Sequence, residues 1–418
     1  MRPPASRTAV LFIVALSSFI TPFMGSSINI ALPAIGNEFS MDAVMLNWVA
    51  TAFLVTAALF LLPMGRLADL RGKKGVFTAG IVILMLSSLS MIVSPGVRLL
   101  LFSRAIQGLG SAMIFGTGTA LLALFFAPGE RGKAMGWSVA CVYLGLSLGP
   151  VLGGFLTLHF GWRSLFVMNI PLCLMVLLVA GTRLRGPWEA RDTAAPGPGD
   201  GGFFSAIPGL FRGNPLFAFS NLAALIHYSA TFAVGFLLSL YLQYGKGMNP
   251  AHAGMVLLAQ PAVMTLLSPL AGRLSDRLEP RIVASAGMGL TSLSRLLLVF
   301  TGPSTSLPHL VILLMVLGCG FALFSSPNTN AVMGAVEKRS FGLASSILAS
   351  MRLLGNLFSM ALTTAIFAVI IGKTKISAEN SPLLVPCMKL SFSIAFVLCV
   401  AGVFASLARG KRSIVKPA

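Results

Sequence analysis

A pattern of glycine, arginine, leucine, a small residue and aspartate occurs twice, as Gly65-Arg66-Leu67-Ala68-Asp69 and Gly272-Arg273-Leu274-Ser275-Asp276. The two aspartates stand 207 residues apart in a chain of 418. The first copy continues Leu70-Arg71-Gly72-Lys73-Lys74, which leaves one carboxylate among four cations. Such a cluster can form ion pairs in one arrangement of its neighbours and lose them in another. Asp69 also suits a helix N-terminus, where a negative charge gains roughly 0.3–1 kcal/mol. Gly65 and Gly72 permit a tight loop with close backbone approach. A single copy reads equally well as an ordinary basic loop. Recurrence at half the chain length favours a duplicated hinge.

Other residues stand out because they are ionisable or breakable within apolar surroundings. Arg104-Ala105-Ile106-Gln107-Gly108 puts a cation and an amide inside one apolar stretch. A cation there costs at least ~2.5 kcal/mol, so Arg104 and Gln107 are expected to face a cavity or a partner. The alternative is snorkelling to the nearby end of the stretch. Arg352 lies deeper in its stretch and is a second cavity candidate, whereas Arg295 and Lys389 lie where they can snorkel. His227, beside Tyr228, can titrate near neutral pH or simply pair with a helical neighbour. Ser325-Ser326-Pro327-Asn328-Thr329-Asn330 is a polar run around a helix breaker. Asn328 and its neighbours there either contact a solute or satisfy backbone freed by the proline. Gly145, Gly149 and Gly153 recur every four residues and so share one helix face, with Pro150 and Gly154 beside them. That face allows backbone-to-backbone packing.

The elements that hold these residues are membrane helices. Hydrophobic residues make up 56% of the chain and charged residues 10%, against roughly 25% charge in soluble domains. Twelve apolar stretches fall at roughly 8–33, 45–64, 75–94, 99–127, 135–158, 164–182, 215–243, 252–270, 282–301, 308–333, 341–371 and 384–408. Each is long enough to cross a hydrocarbon core of about 30 Å. The first is too long for a signal-peptide core and is expected to remain as a helix. The expected fold is an all-α integral membrane protein with twelve transmembrane helices in two pseudo-symmetric six-helix bundles. Residues 1–185 form the first bundle, 186–214 a cytoplasmic linker and 215–418 the second bundle. Ala194 to Gly202 is rich in proline and glycine. Phe203, Phe204, Ile207, Leu210 and Phe211 follow at near-helical spacing, as in a helix lying along the membrane surface.

The net charge of +19 does not point to nucleic acid. Twenty-one of the thirty Lys and Arg fall on the side that holds the N-terminus, five on the other and four inside spans. This asymmetry places both termini in the cytoplasm of a multi-pass cell-membrane protein, the inner membrane if the source is Gram-negative. The five cysteines are scattered without metal spacing, so no metal site is expected. The chain has no G-x-x-x-x-G-K-[ST] loop and no paired catalytic groups, so neither a cofactor nor an enzymatic activity is expected.

The first loop, with its weaker second copy, resembles the signature loop of the major facilitator superfamily, matched at Gly65, Arg66, Asp69, Arg71, Gly72 and Lys73. The resemblance spans essentially the whole chain and implies that the loop after helix 2 gates the cytoplasmic side. It likewise implies a gating role for Gly272, Arg273 and Asp276. Arg104 and Gln107 are similar to the second motif, R-x-x-Q-G, implicated in proton or substrate handling. Gly145-x-x-x-Gly149-Pro150-x-x-Gly153-Gly154 resembles the motif that marks proton-coupled antiporters. Gly161 to Pro171 and Gly25 to Pro33 look like the drug/proton antiporter branch, which usually has fourteen helices. Here the linker replaces its two extra helices, and Met24 stands where its helix 1 usually carries an aspartate.

Together these features imply a secondary active transporter working by alternating access, exporting small amphipathic organic compounds in exchange for protons. Its partners would be the solute, protons and the lipid bilayer, and a monomer holds both halves. All eleven Asp and Glu lie in loops or at helix ends, which leaves proton coupling without the usual membrane carboxylate. An organic anion carrier or importer with an arginine-lined cavity is therefore the alternative, and a non-transporting membrane sensor a more distant one.

Overall fold

The computed structural model describes residues 7–126, 130–183, 208–336, 341–372, 374–377 and 380–409. Among them, twelve helices are long and apolar enough to cross a membrane. The first bundle comprises α1 (Arg7–Glu38), α2 (Ala43–Arg71), α3 (Lys73–Ile92), α4 (Val97–Phe125), α5 (Arg131–Phe160) and α6 (Ser164–Arg183). The second begins with α7, which runs as Pro215–Thr231 and Ala233–Leu240 and ends in a π turn, Tyr241–Gly245. Next comes α8, in two pieces, Pro250–Leu257 and Ala259–Arg277. The last four are α9 (Pro280–Val299), α10 (Leu307–Gly334), α11 (Phe341–Ile370) and α12 (Leu384–Leu407).

Long helices answer the composition, because lipid offers no partner to a backbone N–H or C=O and a helix satisfies both internally. Their starts are set by short polar side chains. The Asp42 carboxylate accepts from the Met45 N–H at 2.7 Å, and Asn214 and Asn249 accept from Phe217 and His252 at 3.0 and 2.9 Å. The last two caps are each followed by proline, whose missing N–H is no loss at the first turn.

Helix pairing repeats between the halves. In the first, α1 packs on α5, α2 on α4, and α3 on both α4 and α6; in the second, α7 packs on α11, α8 on α10, and α9 on both α10 and α12. One joint is duplicated down to its residues. A Cβ on Gly80 of α3 would lie 2.9 Å from the Gly110 carbonyl oxygen of α4, and one on Gly110 would lie 2.8 Å from that of Gly80. Gly287 of α9 and Gly320 of α10 make the same reciprocal approach, at 2.7 and 2.8 Å. The halves meet through two equivalent seams, α5 on α8 and α2 on α11.

Ala194 to Gly202 and Phe203, Phe204 and Ile207 lie outside the described residues. Residues 208–211 form a helical turn. The Phe211 ring meets Phe217 edge-on at 5.2 Å, so this turn packs on the foot of α7.

Gly287→Leu should separate α9 from α10, because its side chain would enter the backbone of α10. The expected cost is at least ~1–3 kcal/mol, measured as a lower melting temperature in detergent. Leucine at the nearby open position Gly289 should have little effect.

Candidate functional site

The first glycine-rich loop is a hinge of one residue. Gly72 alone separates α2 from α3, with φ at +96°, a region that disfavours any side chain. Its N–H closes α2 by donating to the Ala68 carbonyl at 3.0 Å. Asp69 pairs with Lys73 across the hinge, Nζ to Oδ1 at 3.4 Å, while Arg71 is exposed and Arg66 half-buried. Asp69 therefore meets a cation of its own loop. At Gly65, α4 comes close: a Cβ on Gly116 would lie 3.1 Å from the Gly65 nitrogen. In the second copy, the Ser275 hydroxyl donates to the Gly272 carbonyl at 2.8 Å and accepts from Asn330 Nδ2 at 2.7 Å. Arg273 is exposed, and the Asp276 side chain lies outside the described residues. Residues 337–340, between α10 and α11, also lie outside them.

Arg104 does not snorkel. It is 1% exposed, its Nε donates to the Val49 carbonyl of α2 at 2.9 Å, and its Nη1 donates to Gln107 Oε1. The guanidinium lies 4.8 Å over the Phe53 ring. Charge-assisted bonds to a carbonyl and an amide thus replace the absent carboxylate, and Gln107 Nε2 is left without a partner among the described residues. The pair sits inside the first bundle, between α2 and α4.

The α5 glycines divide between two neighbours. Side chains at Gly145, Gly149 and Gly153 would run into Phe19, Ser26 and Ser27 of α1, so that face is pressed on α1. Gly154 and Pro150 face α8 of the other bundle: a Cβ on Gly154 would meet the Pro250 backbone, and one on Gly254 the Pro150 backbone. This is the α5–α8 seam. Ser147 and Thr265 continue it toward mid-depth, their hydroxyls 3.1 Å apart.

Hydrogen bonds between the bundles gather toward the end where α1 finishes. Ser239 and Gln243 of α7 donate to the Asn29 and Ile30 carbonyls at 2.6 and 3.0 Å, and Tyr244 donates to Pro33 at 3.3 Å. Asn47 of α2 donates to the Met360 carbonyl of α11 at 3.3 Å. A β-bridge between Asp42 and Lys375 closes the rim. Within the first bundle, Glu38 holds Arg163 at 2.7 Å and accepts from Trp162 Nε1 at 2.7 Å, and Arg163 donates to the Ile92 and Ser94 carbonyls at 3.1 Å. This gives Gly161-Trp162-Arg163 a clamping role.

Below this closed end, near mid-depth, a polar chain crosses from one bundle to the other. Tyr143 of α5 donates to Ser325 Oγ of α10 at 3.4 Å, a long contact. Thr329 donates to the Ser325 carbonyl at 2.8 Å and accepts from Arg352 Nη2 of α11 at 2.6 Å. The Arg352 guanidinium lies 5.6 Å from the Tyr228 ring centre, and its Nε has no partner among the described residues. The structure therefore brings Arg352 and Tyr228 together. His227 meets the Tyr228 ring only edge-on, at 6.0 Å, because adjacent helix positions point about 100° apart. His227 is fully buried and stacks on Phe324 of α10 at 4.1 Å, and neither ring nitrogen has a hydrogen-bond partner among the described residues. Asn328 is buried, and both its amide atoms lack a partner among the described residues.

Sequence reasoning missed Tyr143. The available signal was that it is one of only four tyrosines and stands two residues before Gly145. It also gave Arg295 too little weight: the residue is 1% exposed and faces the bundle interior rather than the membrane surface.

Two equivalent six-helix bundles, sealed at one end over a polar cluster shared between them, define a membrane transporter rather than an enzyme. The chain belongs to the Major Facilitator Superfamily, whose family model matches residues 14–224 and again 220–416. It is 27% identical to the riboflavin transporter RibZ of Clostridioides difficile, over 94% of this chain and 95% of that protein. It is also 27% identical to the multidrug resistance protein Stp of Mycobacterium tuberculosis, over 88% of this chain and 78% of that protein. The cephamycin export protein CmcT of Amycolatopsis lactamdurans is 26% identical, over 85% of this chain and 84% of its own. Among solved structures, a bacterial homologue of the human lysosomal transporter Spinster, inward-facing and unoccupied, shares the fold. Its TM-score is 0.77 at 18% identity, over 96% of this chain and 97% of that one.

Arg104→Ala should lower thermal stability by about 1–3 kcal/mol, because the buried Gln107 amide oxygen loses its donor. Arg104→Lys should recover only part, since an ammonium cannot supply the same planar fork. Melting curves of the purified variants check both.

Proposed function

We propose that this transporter exports small amphipathic organic compounds in exchange for protons. The observation that carries the proposal is the Tyr143–Ser325–Thr329–Arg352 chain beside Tyr228, at the junction of the bundles and beneath their sealed end. It offers a solute an aromatic face, hydroxyls and one partly free guanidinium, the mixture that amphipathic organic molecules need. The names of several relatives, multidrug resistance and cephamycin export among them, agree with efflux. The α5 glycine face, which resembles the antiporter motif, supports exchange with protons.

On this reading the protein lies in the cell membrane with both termini in the cytoplasm, and its sealed end faces outward. Gly65, Arg66, Asp69, Arg71, Gly72 and Lys73, with Gly272, Arg273 and Asp276, gate the opposite, cytoplasmic end. Arg104 and Gln107 hold α2 and α4 in register while the bundles rock, and Asn328 backs the solute site. His227 is walled off by Phe321 and Phe324, so it serves the C-terminal bundle from inside.

A second reading follows from Arg352. Its Nε is unpartnered, and α7 to α12 contain no Asp or Glu that could bind it, apart from Asp276 at the end of α8. A carboxylate or sulfonate on the solute would complete that site, which makes an organic anion carrier the alternative. RibZ, named for riboflavin, is compatible with either.

Proton movement in everted vesicles, driven by lipophilic cations or by organic anions, separates the two readings. Release of protons on adding cationic compounds, lost in Ser325→Leu at the shared cluster, supports drug/proton exchange. A response confined to anions and reduced at least tenfold in Arg352→Ala supports the carrier. Labelled-solute flux in liposomes without any proton movement would rule out coupling.

The α5–α8 seam gives a further expectation. Gly154→Leu should hold the bundles apart at the sealed end, because no side chain fits against the Pro250 backbone. Flux should fall at least tenfold while each bundle stays folded, which is checked by flux and circular dichroism on the same preparation.

A further inference from the structure

Inside the second bundle, Arg295 of α9 points into a small cleft between α7, α9, α11 and α12. The cleft is lined by Ser229, Arg295, Ser359, Thr363, Ser391 and Phe392, together with aliphatic side chains. Arg295 is 1% exposed, and its Nε and Nη2 have no partner among the described residues. The guanidinium carbon lies 5.5 Å from the Phe392 ring centre, so one face of the cation rests near the ring and the donors lie at its edge.

Ser391 Oγ is buried and unpartnered. Ser359 Oγ already accepts from the Ala233 N–H at 3.1 Å, which leaves its own hydrogen to donate. Ser229 and Thr363 spend their hydrogens on the Leu225 and Ser359 carbonyls, at 2.7 and 2.9 Å. Ser229 and Thr363 can now only accept, while the free hydroxyl hydrogens, on Ser359 and Ser391, lie in the same cleft as the Arg295 cation. No Asp or Glu occurs within α7, α9, α11 or α12 to neutralise it. A buried cation with unmet donors is among the costliest groups a fold can carry.

The first bundle shows that the fold does not require this charge. The 207-residue step that relates Asp69 to Asp276 relates Ser88 to Arg295. Ser88 is buried at the corresponding place in α3 and simply accepts from Asn169 Nδ2 of α6 at 2.7 Å. A neutral hydrogen bond closes the first bundle, whereas the second bundle carries a cation and a cleft with free hydroxyl hydrogens.

We propose that this cleft binds a monatomic anion of chloride size, with Arg295 Nε and Nη2 and the Ser359 and Ser391 hydroxyls as ligands. The free space is about that of one water-sized sphere, so a halide suits the cleft with slight expansion and a carboxylate or phosphate does not. The anion neutralises Arg295 and ties α9 to α7, α11 and α12. The site is built from other side chains than the Arg352 cluster, in which Arg352 donates to Thr329.

The test uses the full chain purified in detergent, with sodium chloride exchanged for sodium gluconate at constant ionic strength. Chloride should raise the melting temperature saturably, by about 3 °C, and Arg295→Met should abolish the rise. Ser391→Ala should raise the chloride concentration for half the effect about fivefold to tenfold. Because Arg295→Met can fold poorly, bromide is used in parallel on the wild type: an anomalous peak in the cleft is the expected result. Equal melting in chloride and gluconate, an undiminished rise in Arg295→Met, or bromide-soaked crystals with no peak beside Arg295 would each overturn the proposal.

Discussion

Backbone contact between helices, made where glycine removes the side chain, is the constraint on which this molecule depends. In lipid, apolar side chains gain nothing by leaving one apolar surface for another, so helices associate through close packing and a few polar bonds. The α5 helix is the plainest case. Gly145, Gly149 and Gly153 seat it on α1, and Gly154 with Pro150 seats it on α8 of the other bundle. One helix thus joins a permanent contact inside its bundle to a contact between bundles. The second kind must be separable if the bundles are to rock. A seam of backbone against backbone, with few side-chain bonds across it, can part without unpairing buried charges.

Charge obeys a matching constraint. Buried carboxylates would neutralise the buried arginines, yet the sequence keeps every Asp and Glu at helix ends or in loops. Arg104 resolves this with a carbonyl, an amide and an aromatic face. Arg352 resolves part of it with Thr329 and Tyr228. Arg295 has an aromatic neighbour, and its Nε and Nη2 have no partner among the described residues. The three form a series of decreasing internal satisfaction, and the demand for an outside ligand rises along it. The carboxylates that are present work at the rim, where Glu38 gathers Trp162 and Arg163 and Asp69 steadies the hinge through Lys73.

The fold was legible because membrane helices announce themselves through apolar length, and because two copies of one loop fixed the duplication. The break at Gly72 was only partly legible: the sequence reads as a loop from Gly65 to Lys74, whereas α2 continues to Arg71 and Gly72 alone, at positive φ, interrupts the helices. Residue placement within the bundles was not legible. A span with apolar residues on every side has no sequence signal for which face meets lipid, which a helix and which the other bundle. Hence His227 was read as free to titrate or to pair with a helical neighbour, whereas the structure stacks its ring on Phe324 and brings Tyr228 to Arg352. Arg295, four residues from the end of α9, looked free to reach the surface by distance along the helix. The helix rotation that directs it inward depends on the α9–α10 glycine joint, a tertiary fact. Tyr143 entered the site only because α5 and α10 come together across the halves.

The duplication is itself uneven, and the unevenness has a direction. Glycine joints are copied: Gly80 and Gly110 recur as Gly287 and Gly320, and Gly145 on α1 recurs as Gly355 of α11 against α7. The arginines buried within the spans are not copied. The 210-residue step that relates Gly145 to Gly355 relates Val142 to Arg352, and Ser88 answers to Arg295. Backbone geometry has to match in both halves, since two seams that open and close together need equal shapes on either side. A solute has no such symmetry, so charge can diverge freely wherever packing is already secured by glycine. The second bundle has taken up that freedom with Arg295 and Arg352, and the first contributes Tyr143 and the α5 seam. Motion therefore belongs to what the halves share, and selectivity to where they differ.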